Sequence, residues 1–129
     1  MLDDRDSKLR VLFVCSMNQW RSPTAEALWR RSPHVDARSR GLSRKARRTL
    51  TREDLEWADL VFVMTHEQRD RLVDEHRSVV RSRDVVVLEI PDQYRYMDPE
   101  LIELLQTRVE PVIAEMLAMD PDDREGPHA

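Results

Sequence analysis

The sequence holds one cysteine in 129 residues. A lone thiol excludes internal disulfides and any cysteine-based zinc cluster, and it suits a reducing compartment, the cytoplasm. Glycine is nearly as scarce. Gly41 and Gly126 are the only two, which leaves few positions suited to positive backbone angles. Long apolar runs are missing as well: the longest are of strand length, far short of a membrane span. The opening MLDDRDSK is charged and carries no apolar signal segment. The four histidines (His34, His66, His76, His128) lack metal-ligand spacing. These shortages exclude a disulfide scaffold, a membrane protein and a cysteine–histidine metal site.

What is present suits a single domain over residues 1–129, large enough for a core without staples. Residues 1–8 and 120–129 are too polar to pack, so disordered ends are expected. Net charge is −4, but it is segregated. Residues 38–52 hold Arg38, Arg40, Arg44, Lys45, Arg47, Arg48 and Arg52 with no acid, a local +7, against −11 for the rest. Such a patch points either to an anionic partner, nucleic acid included, or to a solvated basic loop.

Apolar runs at 9–14, 59–64 and 84–90, with a weaker one at 35–40, read as strands. Helical patterns at 22–31, 52–58, 67–77 and from Pro99 onward alternate with them. Thr51 and Asp98 stand as N-caps, with Pro99 at the first helical position. Leu101, Ile102, Leu104, Leu105, Val109, Val112, Ile113, Met116 and Leu117 form a broad apolar stripe on one long last helix, and Pro111 predicts a kink in it. Alternating strands and helices make an α/β fold with a parallel sheet between two helical layers. Ligands of such sheets bind beyond the carboxyl ends of the strands. That rule gathers Cys15, the basic segment, His66 and Asp92 on one rim.

The richest stretch is LRVLFVCSMNQWRSPTAEALWR, residues 9–30. A buried strand runs straight into Cys15; Ser16, Met17, Asn18, Gln19 and Trp20 follow; Arg21 and Ser22 then open a helix, with Pro23 in its first turn. A loop between strand end and helix start turns its amides inward and binds a phosphate-sized dianion. A thiol at a helix N-terminus beside an arginine is favoured as thiolate and acts as a nucleophile. The Arg21 fork suits two equatorial phosphoryl oxygens. Ser22 can donate a hydrogen bond to the sulfur. Asn18 tolerates left-handed backbone and can brace the loop from within. There is no Gly-Lys-Ser/Thr element, which argues against a nucleoside triphosphate loop.

The run VCSMNQWRSPTAEA resembles the phosphate loop of the low-molecular-weight protein tyrosine phosphatases, whose signature is Cys-x5-Arg-Ser/Thr near the N-terminus. The resemblance extends thinly from about Leu9 to Leu117. It implies strand order 2-1-3-4 in a four-stranded parallel sheet with helices on both faces. It also implies a metal-free, cofactor-free enzyme that hydrolyses phosphate monoesters, most simply phosphotyrosine in proteins, through a phosphocysteine. Cys15 would be the nucleophile and Arg21 the oxyanion clamp, with Ser16, Met17, Asn18, Gln19, Trp20 and Ser22 around the phosphoryl group. Ile90-Pro91-Asp92-Gln93-Tyr94 resembles the family's acid loop, so Asp92 would be the general acid and Tyr94 a substrate contact. Asp98 is the other candidate acid, but it is already placed to cap a helix.

Three departures stand out. Met17 replaces the family's usual glycine, Trp20 a second cysteine, and Gln93 a proline. Without the neighbouring thiol, oxidised Cys15 lacks its usual disulfide partner. Trp20 either walls the pocket or packs on its rim. Two other functions remain compatible: an arsenate reductase relying on an external thiol, and a phosphate- or nucleic-acid-binding module without turnover.

Overall fold

The computed structural model describes residues 8–81 and 84–119, so the expected disordered ends lie outside the described residues apart from Lys8. Four strands, β1 (Leu9–Cys15), β2 (Val35–Gly41), β3 (Leu60–Val63) and β4 (Asp84–Val87), form one all-parallel sheet in the order β2-β1-β3-β4. The helices are α1 (Arg21–Trp29), α2 (Arg52–Trp57), α3 (His66–Glu75), α4 (Arg77–Val80) and α5 (Pro99–Leu117). The fold class is the one the alternating pattern predicts, and the strand order is the one the resemblance implies.

Side chains alternate across a strand, and β1 divides the core accordingly. Leu9, Val11 and Phe13 face α1 and α5, packing with Ala25, Trp29, Leu101, Leu105 and Val109. Leu12 and Val14 face the opposite layer with Leu55 of α2, Leu72 of α3, and Val79 and Val80 of α4. β1 and β3 are central and apolar apart from the exposed Arg10, whereas β2 and β4 form the edges and are only partly buried. Phe13 stacks on Phe62 at 5.4 Å and lies 5.6 Å from Trp29, which ties β1, β3 and α1 together.

The helix starts are chemically explicit. Thr51 and Thr65 each close a capping box, with Asp54 and Gln68 respectively. Asp98 accepts from the Glu100 amide at 2.9 Å and caps α5. One expectation is corrected. β4 stops at Val87 rather than Ile90, because Glu89 turns into the left-handed region (φ 56°). α5 runs as one helix from Pro99 to Leu117 with Pro111 inside it. Pro111 lies on the exposed side, and so does Thr107, whose carbonyl the missing amide would have bonded. The short helix α4 has no counterpart in the sequence pattern; its buried Val79 and Val80 lie between the helical pattern that ends at residue 77 and the apolar run that opens at residue 84.

A buried acid joins α1 to β2 and the basic segment. Glu26 accepts from Ser39 Oγ at 2.6 Å, from Arg48 at 3.0 Å and from Arg30 at 2.8 Å. Burial alone would raise its carboxyl. The Ser39 hydroxyl and the Arg30 and Arg48 guanidiniums more than offset that and hold it below its ordinary 4.5. A depressed carboxyl contributes stability above its unfolded value, and that contribution fades as pH falls through the folded value. Glu26→Gln is therefore expected to cost about 1.5 kcal/mol at neutral pH. Urea unfolding at pH 7 and near pH 3 checks this, because the gap between wild type and variant should shrink in acid.

Candidate active site

The loop from Cys15 to Arg21 leaves the carboxyl end of the central strand β1 and enters α1. Its shape follows from where its carbonyls go. The Cys15 carbonyl accepts from the Leu42 amide at 2.9 Å, Ser16 from Ser43 at 2.9 Å and Met17 from Arg47 at 3.1 Å. Three consecutive carbonyls thus point outward into the segment after β2. Among the described residues none accepts from the amides of residues 16–21, and no side chain caps the first turn of α1. Inward-facing amides with the positive end of a helix behind them make an anion cradle.

Asn18 takes the left-handed conformation (φ 53°) that lets the loop close, and its Nδ2 donates to Ser22 Oγ at 3.1 Å. Ser22 Oγ in turn lies 2.9 Å from Cys15 Sγ. The asparagine therefore braces the loop from inside and orients the hydroxyl that meets the sulfur. Both polar side chains are buried. Met17 has no positive φ; that duty falls on Asn18 alone within the loop, so a side chain in place of glycine is accommodated. Ser16 Oγ accepts from Gln68 Nε2 at 3.1 Å, which anchors the loop to α3.

Gly41 explains why the loop can lie so close to β2. A Cβ there would fall 2.4 Å from Ala46 Cβ, 2.7 Å from the Ser16 carbonyl oxygen and 3.0 Å from the Asn18 amide nitrogen. The need is for close approach, since Gly41 has no positive φ.

Arg21 is buried, at 4% exposure, despite its charge. One terminal nitrogen donates to the Ile90 carbonyl at 2.9 Å, and Nε lies 3.7 Å from Asp92 Oδ1. Cys15, Met17, Gln19, Trp20, Arg21 and Asp92 line one small hollow. A larger one beside it, about 320 Å³, shares Arg21 and Asp92 and is walled by Ser16, Leu42, Thr65, Glu67, Gln68 and Arg71. Asp92 is well exposed while Asp98 is occupied as a helix cap. Sulfur, guanidinium and carboxylate thus converge from the ends of β1, α1 and the loop after β4.

The acid loop is held in place without the expected proline. Arg108 donates to the Leu88 and Glu89 carbonyls at 2.7 and 2.6 Å. Met97 (φ 61°) donates from its amide to Thr24 Oγ1 at 2.9 Å, and the same hydroxyl donates to the Trp20 carbonyl at 2.7 Å. Thr24 therefore clamps the acid loop to the end of the cysteine loop. Tyr94 differs from expectation: its ring is buried in the core at 7% exposure and belongs to the packing around Leu101 and Ile90 rather than to an open rim. Gln93 Nε2 donates to its hydroxyl at 3.2 Å. His66 lines neither hollow, its ring lying 3.2 Å from Glu89. Thr24, Gln68 and Arg108 escaped sequence reasoning because their roles depend on partners more than 15 residues away.

The basic segment is largely neutralised by the fold. Arg38 and Arg40 pair with Asp54, and Arg38 also lies over Trp57 at 3.9 Å. Arg48 pairs with Glu26 and Arg52 with Glu56. The +7 of residues 38–52 is thus no continuous free surface. Among the described residues no group of three or more His, Cys, Asp or Glu side chains is arranged to hold a metal ion, and no helix is long and apolar enough to cross a membrane.

Gly41→Ala should displace the Ser16 carbonyl and the Asn18 amide. The expected result is a loss of about 1–3 kcal/mol from overpacking and roughly tenfold weaker binding of inorganic phosphate. Urea unfolding and calorimetric titration check both; unchanged phosphate affinity would contradict the close-approach argument.

No protein-family model and no curated protein matches the sequence; the likeness is carried by structure. The YwlE arginine phosphatase from Geobacillus stearothermophilus superposes with a TM-score of 0.65 at 22% identity, covering 87% of this chain and 97% of that one. A YwlE arginine phosphatase variant with a phosphorylated active site serine is 25% identical, with a TM-score of 0.61 over 87% of this chain and 97% of its own. A low-molecular-weight phosphotyrosine phosphatase from Vibrio cholerae is 19% identical, with a TM-score of 0.62 over 83% of this chain and 95% of its own. The chain has the fold of the low-molecular-weight protein tyrosine phosphatase family, with Cys15, Arg21 and Ser22 set in the loop that opens its first helix.

Proposed function

We propose that this protein is a cysteine-dependent phosphomonoesterase acting on phosphorylated protein, most simply on phosphotyrosine. The observation that carries the proposal is the convergence of Cys15, Arg21 and Asp92 on one hollow, beside a loop whose amides meet no acceptor among the described residues. Solved structures of the same fold are named as phosphatases, and one of them carries phosphate on its active site serine. No observation favours the arsenate alternative.

In the first step the Cys15 thiolate attacks phosphorus in line. The S–P bond forms as the P–O bond to the leaving group breaks. Loop amides and the free edge of the Arg21 fork hold the equatorial oxygens, whose charge is greatest in the transition state. Asp92, in its acid form, gives its proton to the departing oxygen. In the second step the Asp92 carboxylate takes a proton from water, and the resulting hydroxide breaks the S–P bond and releases phosphate. Ser22 donates to the departing sulfur, as its 2.9 Å approach to Cys15 allows. A nucleophile of this kind has to stay reduced, which suits the cytoplasm.

Hydrolysis of an aryl phosphate tests the assignment. Cys15→Ser should abolish turnover. Asp92→Asn should lower kcat by about 10²–10⁴-fold, with a smaller loss for esters whose leaving group needs no proton. Asp98→Ala should lower stability by about 1 kcal/mol through loss of the cap, with little effect on kcat. Equal rates in wild type and the Cys15 variant would end the proposal, and no turnover by wild type would leave a binding module.

A further inference from the structure

A third hollow, of about 470 Å³, lies on the flank of α1 and shares Gln19 and Trp20 with the hollow that holds Cys15. Its walls combine arginines with exposed aromatic rings: Arg30, Arg47 and Arg48 beside Trp20 (37% exposed) and Tyr96 (53% exposed). Glu26 beneath them takes up the charge of one arginine, since Arg30 and Arg48 both bond to that single carboxylate. Arg47 is exposed, and among the described residues no acid lies within ion-pair distance of it. The hollow therefore keeps a net charge of about +2, next to the nucleophile.

We propose that this hollow is a second substrate subsite that takes an acidic segment of a phosphoprotein flanking the phosphorylated residue. The inference rests on the phosphatase reading above and names the substrate class for that site. Trp20, which stands between the two hollows, turns the chain leaving the scissile phosphate toward the arginines. Carboxylates of that chain meet Arg47 and the outward edges of Arg30 and Arg48, while Trp20 and Tyr96 cover its apolar parts.

A short acidic peptide fits better than nucleic acid. Binding along a nucleic acid requires many phosphate contacts, yet Arg38, Arg40 and Arg52 are already committed to Asp54 and Glu56. What remains is a local pair of positive charges rather than a track.

Two phosphotyrosine peptides of equal length, one with Asp and Glu flanks and one with Asn and Gln flanks, provide the test. In wild type kcat/KM should favour the acidic peptide by about fivefold at low salt. In Arg47→Gln, with each rate normalised to that variant's own aryl phosphate rate, the preference should fall to below about twofold. Peptide affinities for Cys15→Ser, measured by calorimetry with and without Arg47→Gln, should show the same ratios, so the subsite is readable even without turnover. Aryl phosphate hydrolysis with no preference between the peptides overturns the subsite alone; absence of hydrolysis together with the predicted affinity ratios overturns the phosphatase reading alone. Micromolar inhibition by a single-stranded oligonucleotide, with a salt slope of about four contacts or more, would assign the hollow to nucleic acid and defeat the proposal.

Discussion

Everything at this site depends on three carbonyls being used elsewhere. Because Cys15, Ser16 and Met17 give their oxygens to amides of residues 42, 43 and 47, the opposite edge of the same peptide planes turns inward. A peptide unit cannot present both its groups to one side. The segment after β2 is thus the mould against which the cysteine loop is cast. Gly41 lets mould and loop meet at van der Waals distance, and Gln68 holds the far side through Ser16. A loop fixed this way needs no reorganisation when an oxyanion arrives, which is the condition for electrostatic stabilisation to count in a transition state.

The same segment carries the positive charge that dominates the sequence, and two buried acids distribute it. Asp54 caps α2 while receiving Arg38 and Arg40; Glu26 receives Arg30 and Arg48 together with the Ser39 hydroxyl. Neither acid could be buried without these donors, so the arginines that look from the sequence like a polyanion surface are in large part internal counter-ions. Composition alone could not reveal this, because Glu26 lies 22 residues from Arg48 and Asp54 lies 16 from Arg38.

Local chemistry was legible in the sequence, and long-range partnership was not. The cysteine loop could be read because its strand, asparagine, arginine and helix-opening serine are neighbours in the chain. The four strands could be read from their apolar runs, and the caps at Thr51 and Asp98 from the residues that follow. Tyr94 is the opposite case: an aromatic after an acid looks the same whether its ring faces a ligand or a core, and here it packs into the core with α5. Gln93 stands where the resemblance expects a proline, and the loop is held instead by Arg108 and Thr24, one on α5 and the other on α1.

The shortage of glycine has a structural counterpart at the site. Among the described residues the positive φ angles belong to Asn18, Glu89 and Met97, and to no glycine. One lies in the cysteine loop, and the other two bracket the segment that carries Asp92. Each such conformation costs a side-chain-bearing residue on the order of 1–2 kcal/mol, least for asparagine, and persists only where surrounding bonds over-determine it. Those bonds are present: Asn18 holds Ser22, the Glu89 carbonyl is held by Arg108, and the Met97 amide is held by Thr24. Side chains in place of glycine narrow the backbone freedom of both loops in the unfolded and the folded chain alike. The strain and the clamps together keep Asp92 at the hollow that Cys15 and Arg21 also line.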